Sequence, residues 1–364
     1  MNVSLKGNEQ ISTLLNDWYQ VMLQQRVEKA ANLKREIDEK ISDIKEDENL
    51  LLYYSLLDFR YKVLTDGLNI TKDSFNKINS FDIPDNSFLS YYYHFFKAIH
   101  STTLADYNEA KEHFEKAEKL LMYMPDELEK AEFSYRLSVF SYHTRQPINT
   151  LQHANKAKEI FSKHKGYETS IALCENVLGL TSIQIEQYEQ AEEHLNSAID
   201  ILQKQNEETL LLRFRHNLGW LYASQNLSKM AIRHLSEVTE NMPNHFKAIF
   251  LEAREYYKMG ETNNASELIE NGLKTCLTLE NEEYTHHFRV LKAMNEGVSI
   301  EQLEVIVMES ISYCNAQQLY NFTKEYTETL AIKFYEEDNH LKASKYFYMA
   351  NQASEKKKER GALK

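Results

Sequence analysis

The sequence predicts an all-α protein, and three observations carry that prediction. Its 364 residues include only nine glycines and four prolines, so few positions force a helix to stop. No window alternates β-branched and polar residues as a half-buried strand would. Small residues with aromatic or aliphatic companions recur at helical spacing from Ala98 to Ala350.

Residues 1–67 lack that recurrence and read as a three-helix bundle. The first helix sets Ile11, Leu14, Leu15, Trp18 and Met22 on one stripe. The second uses Ala30, Leu33, Ile37, Ile41 and Ile44, with charge on its other face. The third begins near Asp47 and is apolar almost all round through ENLLLYYSLLDFRYKVL, which predicts burial on several sides. Gly67 is its expected stop. Residues 68–88 are polar, carry Pro84, and are expected to form a hinge-like linker containing a short helix.

From residue 89 to 364 the chain repeats. Leu212–Pro243 is the clearest copy: Gly219 admits a second helix closely, Tyr222 fills the space beside it, Ala231 faces it, and Pro243 ends the unit. That is the tetratricopeptide (TPR) pattern. The first-helix anchors are Ala98, Ser138, Gly179, Gly219, Ala253 and Ala331, with a degenerate unit around Phe288 and Leu291. About seven units are expected, because one copy cannot bury its own apolar face; stacked, they would make a right-handed superhelix with a concave surface suited to extended peptides. Asp126 is placed as an N-cap, with Glu129 closing a capping box.

Composition narrows the function. A net charge of −13 argues against direct nucleic-acid binding, and the basic end (Lys356, Lys357, Lys358, Arg360, Lys364) reads as a solvated tail. No apolar run reaches membrane-spanning length, so a cytoplasmic protein without a membrane partner is expected. Cys174, Cys276 and Cys314 lie far apart and read as small buried hydrophobes. No nucleophile motif, phosphate loop or dinucleotide turn occurs, so no cofactor is expected. Neither is a metal: the adjacent pair His286-His287 points about 100° apart on a helix and reads as a surface or groove pair. The chemistry is that of a binding protein. Asn217, two residues before the anchor glycine, has a carboxamide able to clamp a peptide backbone, and Arg213 lies one turn earlier. Asn176 holds the analogous place before Gly179, and His287 is also assigned to the groove.

The run Glu46 to Arg60, EDENLLLYYSLLDFR, followed by Lys130-Ala131-Glu132-Phe133 and Asn217-Leu218-Gly219 on a bundle-plus-TPR plan, resembles the Rap family of Bacillus. The resemblance covers nearly the whole chain. It implies a quorum-sensing regulator switched by a short secreted and re-imported Phr peptide lying in the TPR groove. It also implies a bundle that binds either a response regulator, which is dephosphorylated, or a transcription factor, which is sequestered. Phosphatase members carry a glutamine that orients the attacking water where this chain has Glu48. An ionised carboxylate cannot donate to that water. Its repulsion from an acyl phosphate at about 4 Å costs about 1 kcal/mol in water and about 4 at an effective dielectric of 20. Glu48 therefore implies little or no phosphatase activity, with sequestration of a DNA-binding regulator as the leading reading; a phosphatase and a generic TPR scaffold are the alternatives. Where the family offers an aspartate to a basic peptide residue, this chain has Gln184, with Glu186 nearby. Trp18, Tyr19, Glu48 and Asn49 are the expected target-facing residues. A homo-oligomeric state stays open.

Overall fold

The computed structural model describes residues 9–41, 47–66, 70–85 and 87–361. Ile44, Glu46, Gly67 and Lys364, named above, lie outside them. All regular structure among the described residues is helical. The bundle is α1 (Glu9–Leu23), α2 (Val27–Ile41) and α3 (Glu48–Asp66), followed by a 3-10 turn (Lys72–Phe75) that runs into the short α4 (Asn76–Asn79).

Seven helical hairpins follow among the described residues. They are α5 (Phe88–Thr103) with α6 (Tyr107–Leu120), α7 (Glu127–His143) with α8 (Pro147–Ser162), and α9 (Glu168–Gln184) with α10 (Tyr188–Gln205). Next come α11 (Glu208–Ser224) with α12 (Ser228–Asn241), and α13 (Phe246–Lys258) with α14 (Thr262–Thr278). The last are α15 (Glu282–Glu296) with α16 (Ile300–Ala316), and α17 (Tyr320–Glu336) with α18 (His340–Gly361). The basic end expected as a tail is therefore largely the last turns of a helix.

The chain divides into two compact units, Met1–Glu207 and Glu208–Lys364. The division falls after α10 and not at 68–88. One hydrophobic core runs through the first unit from Leu15 to Leu178. The segment expected as a hinge is packed into it. Ile70, Phe75 and Ile78 are buried, the Phe75 ring meets Phe59 edge-on at 4.9 Å, and His100 bonds the Thr71 carbonyl at 2.9 Å. Apolar side chains at these three positions overrule the polar composition around them.

The hairpin turns share one device. Ala105, Arg145, Glu186, Asn226 and Asp338 each adopt a left-handed φ between the two helices, as Gly260 and Gly297 do. The next residue's N–H then reaches back five residues to a carbonyl, as from Leu227 to Tyr222 at 2.9 Å and from Gln187 to Ser182 at 2.8 Å. The bundle uses the same turn: Gln25 has φ +60° and the Arg26 N–H reaches Val21 at 3.2 Å.

Close approach inside a hairpin follows the small-residue pattern. A Cβ on Gly219 would stand 2.6 Å from Leu235 Cγ, so the leucine of α12 occupies the place a side chain would take. Between successive hairpins Gly272 of α14, which the sequence did not single out, is tighter, with the Phe288 ring of α15 2.1 Å from the position of a Cβ. Tyr222 is buried and stacks on His234 at 5.4 Å.

Candidate functional site

The bundle is fastened to the first repeats by buried polar groups. Arg60 on α3 is fully buried, and its Nη2 donates to Glu132 Oε1 on α7 at 2.9 Å. Arg136, one turn along α7, donates its Nε to the same oxygen at 2.8 Å. Burial alone would raise the Glu132 carboxyl, but the Arg136 and Arg60 charges outweigh it and hold the group below its ordinary range. Burial and the like charge of Arg136 push Arg60 down. Charge-assisted bonds are the strong ones in such an interior.

Glu129 makes a second fastening. Its Oε1 accepts from the hydroxyls of Tyr19 on α1 at 3.0 Å and Tyr91 on α5 at 2.8 Å, and its Oε2 accepts from Tyr92 at 3.4 Å. Burial pushes this carboxyl up to about 8, against the lowering effect of the Tyr91 and Tyr19 bonds. The expected capping box does not form: Asp126 caps α7 through the Leu128 N–H at 3.0 Å, while Glu129 turns into the core. Two further bonds tie α1 to the third hairpin, Ser170 Oγ to the Leu23 carbonyl at 2.9 Å and the Tyr167 hydroxyl to Gln20 Oε1 at 3.1 Å.

This packing corrects two of the target-facing assignments. Trp18 has no exposed surface, and its ring lies 5.6 Å from Tyr61 and 6.2 Å from Tyr54. Tyr19 is buried against Tyr92 and Phe96. Both are core residues in this conformation, because the apolar stripe of α1 meets α3 and α5. Glu48 and Asn49 are exposed at the start of α3, where Asp47 Oδ1 takes the Leu50 N–H at 3.1 Å. An acid in this first turn also favours the helix dipole.

The peptide-facing assignments fall in separate units. In the first, Asn176 is half-buried on α9 beside Glu175, which pairs with Lys158 at 3.3 Å and His194 at 2.7 Å. Gln184, the last residue of α9, is exposed, with its side chain near that of Tyr142. Glu186 is exposed in the α9–α10 turn at φ +60°, on the hairpin's end and not on a helix. In the second unit, Arg213 is exposed and Asn217 half-buried, one turn apart on α11, with Asn217 Oδ1 3.3 Å from His216 Nδ1. His287 is a correction. It has no exposed surface; its Nδ1 lies 2.6 Å from the Tyr326 hydroxyl and its ring 3.8 Å from that of Phe322, so it is a core histidine. Neighbouring first helices bury its face of α15, while the exposed Arg289 lies on another.

Sequence reasoning had quoted Arg60 and Glu132 without a role for them and had given Glu129 only that of a helix cap. A charged residue inside the nearly all-round apolar α3 was the available signal, since buried charge requires a partner.

Comparison with known proteins places these features. Residues 5–66 match the family model described as response regulator aspartate phosphatase H, N terminal. The regulatory protein RapF of Bacillus subtilis (strain 168) is 25% identical over 366 residues, covering 95% of this chain and 94% of that protein. Response regulator aspartate phosphatase A of the same organism is 26% identical over 366 residues, with the same coverage. A crystal structure of a Rap protein complexed with competence and sporulation factor superposes with a TM-score of 0.83 at 25% identity, covering 97% of this chain and 99% of that one.

Proposed function

The chain belongs to the Rap family, and from that premise we propose that it binds and inhibits a DNA-binding transcriptional regulator through its N-terminal bundle and is switched by a short Phr-type peptide. It is a peptide-responsive regulator of the Rap type. Among the described residues no helix is long and apolar enough to cross a membrane, and the proposed place of action is the cytoplasm.

Glu48 is the observation that carries the sequestration reading. It is exposed at the first position of α3, where a carboxylate offers a charge to a partner but no amide donor to a hydrolytic water. Asn49 beside it is equally exposed. The peptide side rests on Asn217 and Arg213 on α11, and on Asn176, Gln184 and Glu186 at α9. Trp18 and Tyr19 leave the contact surface, since a buried ring cannot touch a partner unless α1 separates from α3 and α5.

The test is a phosphorylated receiver domain incubated with the full chain. Phosphate should leave at the spontaneous rate, while the chain retains a regulator's DNA-binding protein on a column and a Phr-type peptide elutes it. Accelerated phosphate loss would overturn the reading in favour of a response-regulator phosphatase. That second reading has its own support, the family model matched by residues 5–66. If it held, Glu48→Gln should raise the rate further.

A further inference from the structure

In the second unit several basic residues have an acid at hand. Arg215 meets Glu237 at 2.9 Å, Arg254 meets Glu325 at 3.5 Å, Lys258 meets Glu255 at 2.8 Å, and Lys292 meets Glu270. Arg213 and Lys247 are among the basic residues that do not. Both are exposed, and among the described residues no carboxylate stands within ion-pair distance of either. They also gather around two histidines. The rings of His216 on α11 and His245 at the start of α13 lie 5.0 Å apart. The charges acting on these rings are cationic: Lys247 on both, and Arg213 on His245. In a chain of net charge −13, two cationic side chains and two facing imidazoles thus share one place on the surface.

We propose that Arg213, His216, Asn217, His245 and Lys247 form a carboxylate-binding subsite, placed to take an acidic group of the bound peptide. The inference rests on the peptide-binding reading above and gives that ligand a chemistry, one opposite in sign to the basic residue that the family resemblance led us to expect. Arg213 offers a planar fork of donors that matches a carboxylate's two oxygens. Lys247 adds a compact charge in the first turn of α13, a 13-residue helix whose N-terminus carries partial positive charge. His245 Nδ1 accepts the Ala248 N–H at 3.1 Å, which leaves its ring proton on Nε2 as a donor. His216 Nδ1 faces Asn217 Oδ1 at 3.3 Å and so fixes the carboxamide's orientation, with its oxygen toward the ring. Burial first, and then the charges of His245 and Lys247, push His216 down to about 4, so the ring adds no charge of its own before an anion arrives.

The carboxylate has two sources in a short peptide, an Asp or Glu side chain or the C-terminus, and the test separates them. Full-length protein is offered randomised pentapeptides in two pools, one with free C-terminal acids and one with C-terminal amides. Retained peptides rich in Asp and Glu from both pools assign the side chain; retention from the acid pool alone assigns the terminus. Either result supports the subsite, provided that Arg213→Glu with Lys247→Glu, both at exposed positions, weakens the retained peptides about tenfold or more while thermal unfolding is unchanged. Retention without acidic enrichment and indifferent to amidation overturns the subsite, as does unchanged affinity in the double variant. Retention of nothing from either pool takes down the peptide reading itself, and the subsite with it.

Discussion

The two units bury their acids in different company. In the first, the carboxylates of α7 reach partners far along the chain: Glu132 meets Arg60 across 72 residues, and Glu129 meets Tyr19 across 110. In the second, Glu252 accepts from Thr239 across 13 residues and Glu255 from Ser228 across 27, within neighbouring helices. The second unit is closed over shorter stretches of chain, by small residues such as Gly219 lying under Leu235 within a hairpin and Gly272 under Phe288 of the next one. The first is closed by long-range bonds that a bundle helix must find. A repeat array resists one substitution by confining it; a polar seam concentrates the effect of one substitution on a whole docking event.

The sharpest way to break this contrast is Glu132→Ala. It leaves Arg60 buried without its partner, a situation that costs about 3–5 kcal/mol. Hydrogen exchange should show α1 and α3 losing protection while α13 and α14 keep theirs; uniform loss across both units would erase the distinction.

Next comes pH. The folded Glu129 carboxyl sits at about 8, above its ordinary 4.5, so the folded chain binds more protons between those values. The stabilising contribution is complete below the ordinary value and is lost as pH rises through the folded one. Relative to Glu129→Gln, the wild-type chain should lose up to about 1.4 kcal/mol per pH unit over that window, read from denaturant unfolding. A difference independent of pH would contradict the protonated assignment.

Gly272→Ala probes the local closure of the second unit. Its Cβ would meet the Phe288 ring, and overpacking of that kind costs about 1–3 kcal/mol. The exchange pattern should be the reverse of that for Glu132→Ala, with α14 and α15 loosened and α1 unchanged. Smallest of all is Glu48→Gln, an exposed position where stability should move by less than about 0.5 kcal/mol in a thermal melt. A larger change would mean that Glu48 has a structural partner.

What the sequence disclosed follows the same division. Helix positions and the anchors Gly179 and Gly219 were legible because a small residue and its companion lie within one hairpin, where periodicity is the whole signal. The burial of Ile70, Phe75 and Ile78 was not, since Phe75 meets α3 and α5 through three-dimensional packing that its polar neighbours conceal. Trp18 was rightly placed on the apolar stripe, yet its exposure could not be judged without α3. His287 failed for a similar reason: its partner Tyr326 lies 39 residues away. Glu129 fitted a local capping rule so well that the local answer hid the distant one. Of the peptide-side residues, periodicity placed Arg213 and Asn217 one turn apart on the same helix; His245 and Lys247 come from another helix, and their approach was invisible.

The left-handed hairpin turn allows a different coordinate along the chain. Counted from that turn residue, each anchor stands seven positions earlier: Ala98 before Ala105, Ser138 before Arg145, Gly179 before Glu186 and Gly219 before Asn226. The same count back from Gln25 arrives at Trp18, and five forward arrives at Ala30, as from Asn226 to Ala231. By this measure α1 and α2 keep the addresses of a repeat, with the largest side chain installed where the others keep the smallest. The indole is turned toward Tyr54 and Tyr61 of α3. The third helix of the bundle then has a definite meaning: it supplies the aromatic surface for a repeat whose anchor has outgrown its slot.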